Sequence, residues 1–596
     1  MRKLLFVLSL VIACSVLADQ VQPMFVRDAI GVKSTAAAPH LADRESAQPM
    51  VTLAPALQVV PEEITAIREW NDQRRTPAKI GFTRSIGDGI AVRMAPRDGV
   101  AAASAGGGVV TESERGTVIW SGSVRVEGAH RLRLHLQNVN VPMGTTFWSY
   151  GRGQEPRAFG TELIDANGEL YAPSTAGEVA YLEVEIPAGT TSASFVVRDV
   201  LEMLPVEESV THARMPRADD TPSCLIDGMC PNSGNLDVIA QYRKAVAHLQ
   251  YVKNGSGFVC SGGLINDSDT SSVIPYLLTA NHCFSTQASA TTLESYFDYT
   301  TSSCGATLPN LNTFVPVNGA TLLATSTTTD FTLVRLNSIP SGRVLLGWTT
   351  TPPAHGTLIH RLSHPFPDSY SQPAPQAYST TTVNTTVGTC SGSGRPQFIY
   401  SSAVDGGVYG GSSGSPVIIA GGQIVGQLKG SCGPIDPTAG CDDSNSTVDG
   451  AFAQTYASVA QYVNPGTNNN SCTASSTTAC MLNGRFRVTV RFRNGFDNNN
   501  VDSNANVKSV TGFANPSFET AFFYFNNESN IEMLIKILDQ GNTNGQGQPT
   551  IAVLFGSATP LRVELTIFDT LTGATRVYTS NFNAMAGATD FTAFVK

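Results

Sequence analysis

Residues 410 to 416 read Gly-Gly-Ser-Ser-Gly-Ser-Pro. From Gly411 they follow the pattern G-x-S-G-x-P, centred on Ser413. A serine hydroxyl is a poor nucleophile until a base sits beside it and amide N–H groups wait for the oxyanion it creates. Gly411 and Gly414 permit a tight turn, which would aim the N–H groups of Gly411 and Ser413 into one hole. Pro416 closes the turn and leads into Val417-Ile418-Ile419, an expected strand. An ordinary hairpin loop has the same composition. The stretch therefore becomes catalytic only if a base and an orienting acid exist elsewhere.

Both are present upstream. Tyr276-Leu277-Leu278-Thr279-Ala280-Asn281-His282-Cys283 is an apolar strand that ends on a histidine. Thr329-Asp330-Phe331-Thr332-Leu333-Val334-Arg335-Leu336 is an alternating strand opened by an aspartate. Singly, a histidine beside a cysteine is a packing residue and an aspartate before a strand is a turn residue. Together, in the order His282, Asp330, Ser413, they read as base, orienting acid and nucleophile.

These three stretches resemble T-A-A-H-C, D-[IF]-x-L-[LV] and G-D-S-G-G-P of the chymotrypsin-like (trypsin-fold) serine peptidases. G-S-S-G-S-P and Gly426-Gln427-Leu428 resemble the bacterial lysyl endopeptidase branch more closely. The likeness runs over residues 220 to 463. It implies two six-stranded barrels with the triad in the cleft between them, and an oxyanion hole from Gly411 and Ser413. It also implies a substrate pocket walled by Gly407 and Val408, by Lys429 and Gly430, and by Asp449 and Gly450. Lysyl endopeptidases carry an aspartate where this chain has Thr447, so Asp449 is the nearby candidate for selecting a basic P1 side chain. Asn281 replaces the usual alanine and Ser412 the usual aspartate.

The composition fits an exported enzyme. Hydrophobic residues make up 41% and charged residues 14%, which suits a globular chain and excludes a disordered one. The net charge is −10 with no long Lys/Arg cluster, so no nucleic-acid partner is expected. Residues 1–18 read as a signal peptide: Arg2 and Lys3, then Leu4 to Ala13, then Val16-Leu17-Ala18. A lipoprotein signal at Cys14 is the alternative. No other stretch is long and apolar enough for a transmembrane helix.

Leaving Cys14 aside, ten cysteines remain, and an even number in an exported chain implies disulfides. The resemblance pairs Cys260 with Cys283 and Cys230 with Cys304. It joins Cys224 to Cys432 or Cys441 and leaves the other for Cys390. Cys224-Cys441 with Cys390-Cys432 is the arrangement adopted. Cys472-Cys480 would be local. No paired C-x-x-C spacing points to zinc, and no metal or cofactor is expected.

Along the chain, residues 19–62 are Ala/Pro-rich and read as a flexible leader, with one short helix over Ile64 to Arg75. Residues 63–203 form an amino-terminal β-rich pro-region, alternating at 118–126, 132–136 and 181–186. It resembles the pro-regions of secreted trypsin-like bacterial proteases, with His130 and His135 on its surface. Residues 204–223 are a Pro-punctuated linker and a processing site. The peptidase unit spans 224–463, ending in a helix over Tyr456 to Val463. His360 and His364 lie four apart, but Pro365 and Pro367 follow, so a strand and turn with structural histidines is expected. Residues 464–483 are a linker and 484–596 a carboxy-terminal β-sandwich extension.

The fold expected is therefore all-β: a chymotrypsin-like double barrel flanked by two sandwiches. The activity expected is that of a secreted, monomeric serine endopeptidase acting on protein or peptide substrates. The rival is a catalytically silent, peptidase-shaped adhesin.

Overall fold

The computed structural model describes residues 19–31, 50–205, 225–230, 240–365, 376–432, 446–464 and 472–595, less short stretches of which 494–502 and 509–518 are the longest. The signal peptide with Cys14, the span 206–224, Cys441 and the side chain of Cys432 lie outside the described residues.

The chain is all-β. Short strands rich in Val, Ile, Leu, Thr and aromatics, separated by Gly/Asn/Ser turns, pair antiparallel almost throughout. The strand Ser256–Ile265 lies between Val246–Lys253 and the histidine strand Tyr276–Ala280. The histidine strand in turn pairs with Phe331–Leu336, which opens just after Asp330. Ala320–Ser326 and Glu294–Phe297 complete this first barrel. The second barrel closes on itself through Leu358–Ser363, Ala377–Val383, Phe398–Asp405, Ser446–Ala451, Gln423–Cys432 and Pro416–Ile418. One apolar cluster joins the two: Leu249, Leu278 and Leu333 from the first barrel pack with Ile418, Ile424 and Phe452. The end helix begins at Phe452 rather than Tyr456, directly after the strand Ser446–Ala451.

Two sandwiches flank the barrels. In the amino-terminal one, Trp120, Leu134, Phe147, Leu182 and Phe195 are buried between two sheets. In the carboxy-terminal one, Phe486, Val490, Phe523, Ile535 and Leu565 fill the space between two five-stranded sheets. The helix expected from Ile64 runs instead over Pro61–Asp72, because Pro61 suits the first helical turn and Glu62 and Glu63 complement its positive end.

Two features depart from the expected order of separate units. Residues 19–31 do not behave as a patternless leader. Gln20–Val21 and Met24–Val26 add as strands to Gly347–Thr349 and Arg343–Leu345, in the connection between the barrels. Val26 is 7% exposed there, and the Asn266 side-chain amide donates to the Gln22 carbonyl at 2.9 Å. A Cβ at Gly347 would lie 2.2 Å from the Val21 carbonyl oxygen, so only glycine lets this segment approach.

The second departure is that the amino-terminal sandwich continues into the first barrel. Its long strand Ala78–Arg97 pairs with Ser256–Val259. Buried polar groups reinforce that seam. Arg131 bonds Ser174 and Tyr296, and Arg133 Nη1 donates to the Thr292 carbonyl at 2.7 Å. The Ser174 N–H donates to Glu294 Oε1 at 2.7 Å. His135, expected on the surface, is only 4% exposed; its ring stacks on Tyr171 at 4.0 Å and lies 3.3 Å from Asp199 Oδ2.

Burial by itself would raise the Glu294 carboxyl, but Arg133, Arg131 and the Ser174 N–H hold it below the ordinary glutamate value. A depressed carboxyl adds stability above its unfolded pKa and loses it as pH falls through the folded one. Glu294→Gln should therefore lower the melting temperature at neutral pH. The difference from wild type should shrink once the pH drops below the usual glutamate range, as scanning calorimetry across a pH series would show.

Candidate active site

The turn carrying Ser413 is pinned by three hydrogen bonds. The Ser261 N–H donates to the Ser413 carbonyl at 2.8 Å, and Ser261 Oγ donates to the Gly411 carbonyl at 2.8 Å. The Gly414 N–H donates to the Leu428 carbonyl at 2.8 Å. Gly414 has φ +80°, and a Cβ there would sit 2.2 Å from Thr279 Oγ1 and 2.6 Å from the Ser261 carbonyl. The turn thus presses directly on the strand that ends at His282. Gly414→Ala should cost about 1–3 kcal/mol, from the left-handed backbone and the overlap together. It should also depress turnover, which urea unfolding and a peptide-hydrolysis assay would measure.

His282 and Asp330 meet by similarly local means. His282 Nδ1 lies 2.7 Å from Asp330 Oδ2, and the His282 N–H donates to Asp330 Oδ1 at 2.9 Å. Both carboxylate oxygens are thereby engaged on one residue, which fixes ring tilt and tautomer. Asp330 itself has φ +55°, a conformation that aspartate tolerates better than most residues. Its side chain is 6% exposed and that of His282 is 22% exposed, so the pair is shielded while the ring keeps an open edge. His282 Nε2 has no hydrogen-bond partner among the described residues. Ser413 is itself buried at 2% exposure. The disulfide Cys260–Cys283 ties the residue after His282 to the strand Ser256–Ile265, and Cys283 Sγ lies 3.9 Å from the Ser413 carbonyl.

In the nucleophile loop, the N–H groups of Ser412 and Ser415 are spent internally, on the carbonyls of Tyr409 and Ser412. Those of Gly411 and Ser413 have no acceptor among the described residues. Two donors left open beside a serine are what an oxyanion requires.

Several supports have no motif in the sequence. Gln427 Nε2 donates to the carbonyls of Thr329 and Asp330, at 2.7 and 3.2 Å. A Cβ at Gly450 would overlap the Thr329 carbonyl, so that glycine lets its strand press on the Asp330 loop. Lys253 Nζ donates to the carbonyls of His282 and Cys283, 3.2 Å each. These are backbone contacts across long sequence separations, and pattern gives no sign of them.

Asp449 departs from its expected place in a pocket wall. Asp449 is 0% exposed and pairs with Arg361, whose Nε lies 3.2 Å from Asp449 Oδ1 and whose Nη2 bonds Oδ2. Arg361 also donates to Thr381 Oγ1 at 2.7 Å, Ser401 Oγ at 3.3 Å and Thr447 Oγ1 at 3.0 Å. The Asp449 carboxylate is thus balanced by Arg361 and closed off from solvent. Lys429 Nζ donates to Ser393 Oγ at 2.7 Å and lies over the Phe398 ring. Gly407, Val408 and Gly430 are half-buried near the nucleophile loop. His360 and His364 are buried, on and just beyond the strand Leu358–Ser363. Cys230–Cys304 and Cys472–Cys480 are disulfides, and Cys390 is also disulfide-bonded.

Residues 218–451 match the family model described as lysyl endopeptidase, C-terminal domain. A lysyl endopeptidase of Pseudomonas aeruginosa is 27% identical over 349 residues, which span 56% of this chain and 72% of that protein. Crystal structures of the Rv3671c protease of M. tuberculosis in its inactive form align at 15% identity and a TM-score of 0.26, covering 96% and 92% of those chains and 40% and 38% of this one. That score is too low to bear on the fold.

Proposed function

We propose that this chain, a peptidase whose residues 218–451 place it in the lysyl endopeptidase branch of the trypsin-like enzymes, is an exported serine endopeptidase acting through Ser413, His282 and Asp330. Ser413 Oγ attacks the scissile carbonyl while His282 Nε2 takes its proton. His282 then returns the proton to the leaving amine, and water repeats the sequence on the acyl-enzyme. Asp330 holds the imidazole and balances its charge. The N–H groups of Gly411 and Ser413 receive the oxyanion, about 3–4 kcal/mol of barrier per donor in comparable enzymes. The observation that carries this reading is the double engagement of the Asp330 carboxylate on His282, with the ring's far nitrogen left unbonded. Hydrolysis of a denatured protein substrate by the purified chain, abolished by a fluorophosphonate, tests it. The disulfides suit an oxidising compartment.

The name of the P. aeruginosa relative points to lysine at P1. Here the Asp449 carboxylate is held by Arg361, and Thr447 has only a hydroxyl, which also accepts from Arg361. Selectivity for a basic P1 residue is therefore not expected to come from Asp449. Cleavage-site mapping on a peptide library should show a P1 profile that Asp449→Asn leaves in place; a switch in P1 preference would contradict this.

Ser412 bears on activation. A buried α-ammonium needs a counter-charge, and an unpaired buried charge costs several kcal/mol. Ser412 is 0% exposed and neutral, and its Oγ is already bonded by Ser363 Oγ at 3.0 Å and the Tyr409 N–H at 3.3 Å. No inserted amino terminus is needed to shape the oxyanion hole. Mature forms engineered to start at successive residues between 218 and 223 should therefore agree in kcat/KM within a few-fold. A steep dependence on the starting residue would show that a specific α-amino group is required.

A further inference from the structure

Taking Ser413 as nucleophile and Gly411 and Ser413 as oxyanion donors, as proposed above, we propose that Ser261 is a positioning residue that sets the oxyanion hole before substrate arrives. Ser261 lies on the first-barrel strand Ser256–Ile265, next to the disulfide-bonded Cys260, and is 0% exposed. It grips the carbonyls of the same two residues whose N–H groups are left open. Its own N–H donates to the Ser413 carbonyl and its hydroxyl to the Gly411 carbonyl, 2.8 Å each. The hydroxyl is oriented from behind, because the His364 N–H donates to Ser261 Oγ at 2.8 Å. An amide N–H only donates and a carbonyl only accepts, so the Ser261 proton points to Gly411. The Ser261 carbonyl accepts from Thr279 Oγ1 at 2.8 Å, which ties the residue to the strand leading to His282. Every polar group of Ser261 is thus committed, and turning its side chain would deprive a buried amide and a carbonyl of their partner.

Gly411 is where such a hold matters. It has φ +94° and no side chain, so the peptides on either side of it rotate easily. Rotation there would swing the Gly411 N–H away from the oxyanion. The peptide that follows is held at both ends: the Gly411 carbonyl by the Ser261 hydroxyl, and the Ser412 N–H by the Tyr409 carbonyl at 2.9 Å. Donors aligned in advance need no reorganisation as charge develops on the substrate oxygen. The Ser261 hydroxyl therefore acts on the transition state and not on substrate binding, and its loss should appear in kcat and spare KM.

The test compares wild type and Ser261→Ala, as full chains, on one peptide that wild type cleaves. Ser261→Ala should lower kcat about 10- to 100-fold and leave KM within about twofold. The aldehyde of the same peptide separates a misaligned hole from a loosened fold. Ser413 Oγ adds to its carbonyl carbon, the serine proton passes to His282, and the carbonyl π pair becomes the oxyanion. Ser261→Ala should bind this aldehyde more weakly by the factor lost in kcat. It should bind the matching peptide alcohol, which forms no adduct, as wild type does. Circular dichroism confirms the fold. Should Ser261→Ala fail to fold, Ser261→Cys, whose thiol fills the space but donates only weakly, carries the same comparison. A wild-type protein that neither cleaves peptides nor takes a fluorophosphonate on Ser413 would overturn the triad and this role with it. Cleavage through Ser413 with the folded variant at the wild-type kcat, or with aldehyde and alcohol binding weakened alike, would overturn this role alone.

Discussion

Replacing Ser413 or His282 by alanine should leave only the background rate that the oxyanion donors and substrate binding supply. The Ser413→Ala/His282→Ala pair should be little worse than either single change, because nucleophile and base act as one unit. Asp330→Asn should retain the fold and lose on the order of 10⁴ in turnover. Its amide would donate where the carboxylate accepts, and His282 Nδ1 lies only 2.7 Å away. The ring would then turn to the wrong tautomer and could no longer take the serine proton. Gln427 and the Asp330 backbone would still hold the loop, so the damage should appear in kcat with little change in KM or melting temperature. Stopped-flow and steady-state kinetics on the four proteins measure this. Activity close to wild type in Ser413→Ala would remove Ser413 from the mechanism.

Arg361→Met and Asp449→Leu should be the most destabilising single changes in the second barrel. Both side chains are 0% exposed, and each is the other's counter-charge. Removing one partner of a buried ion pair leaves an uncompensated charge and costs about 3–5 kcal/mol. Replacing both with apolar residues removes the charge altogether, so Arg361→Met/Asp449→Leu should lie closer to wild type than either single variant. Urea unfolding of the four proteins forms the cycle. Additive losses in the double variant would show that the two side chains act separately.

These two outcomes also mark what the sequence makes legible. The proposed triad residues stand out in the sequence because each closes or opens a strand in a motif a few residues long, and the chemistry proposed for them restricts which residue types fit. Alternation likewise revealed both sandwiches, since period-two burial is a local signal. The fate of Asp449 could not be read. Its partner lies 88 residues upstream, on a strand where Arg361 has the look of an outward-facing residue in Ile359-His360-Arg361-Leu362. Tertiary pairing decides which face of such a strand is buried. Residues 19–31 escaped for another reason. Their few apolar residues sit in an Ala/Pro-rich context, and two- and three-residue strands gain their definition only from the edge they join. His135 is buried, against its outward look in the sequence, because its strand is buried on both faces where the sandwich runs into the first barrel.

The central claim is that Ser413 is an activated nucleophile. Reacting the folded, full-length protein with a fluorophosphonate, then digesting and sequencing the adduct by mass spectrometry, tests it most directly. A single adduct on Ser413, lost in His282→Ala and blocked by competing substrate, is the predicted result. A folded, processed protein that takes no label, or takes it on another serine, would contradict the assignment and favour a peptidase-shaped binding protein.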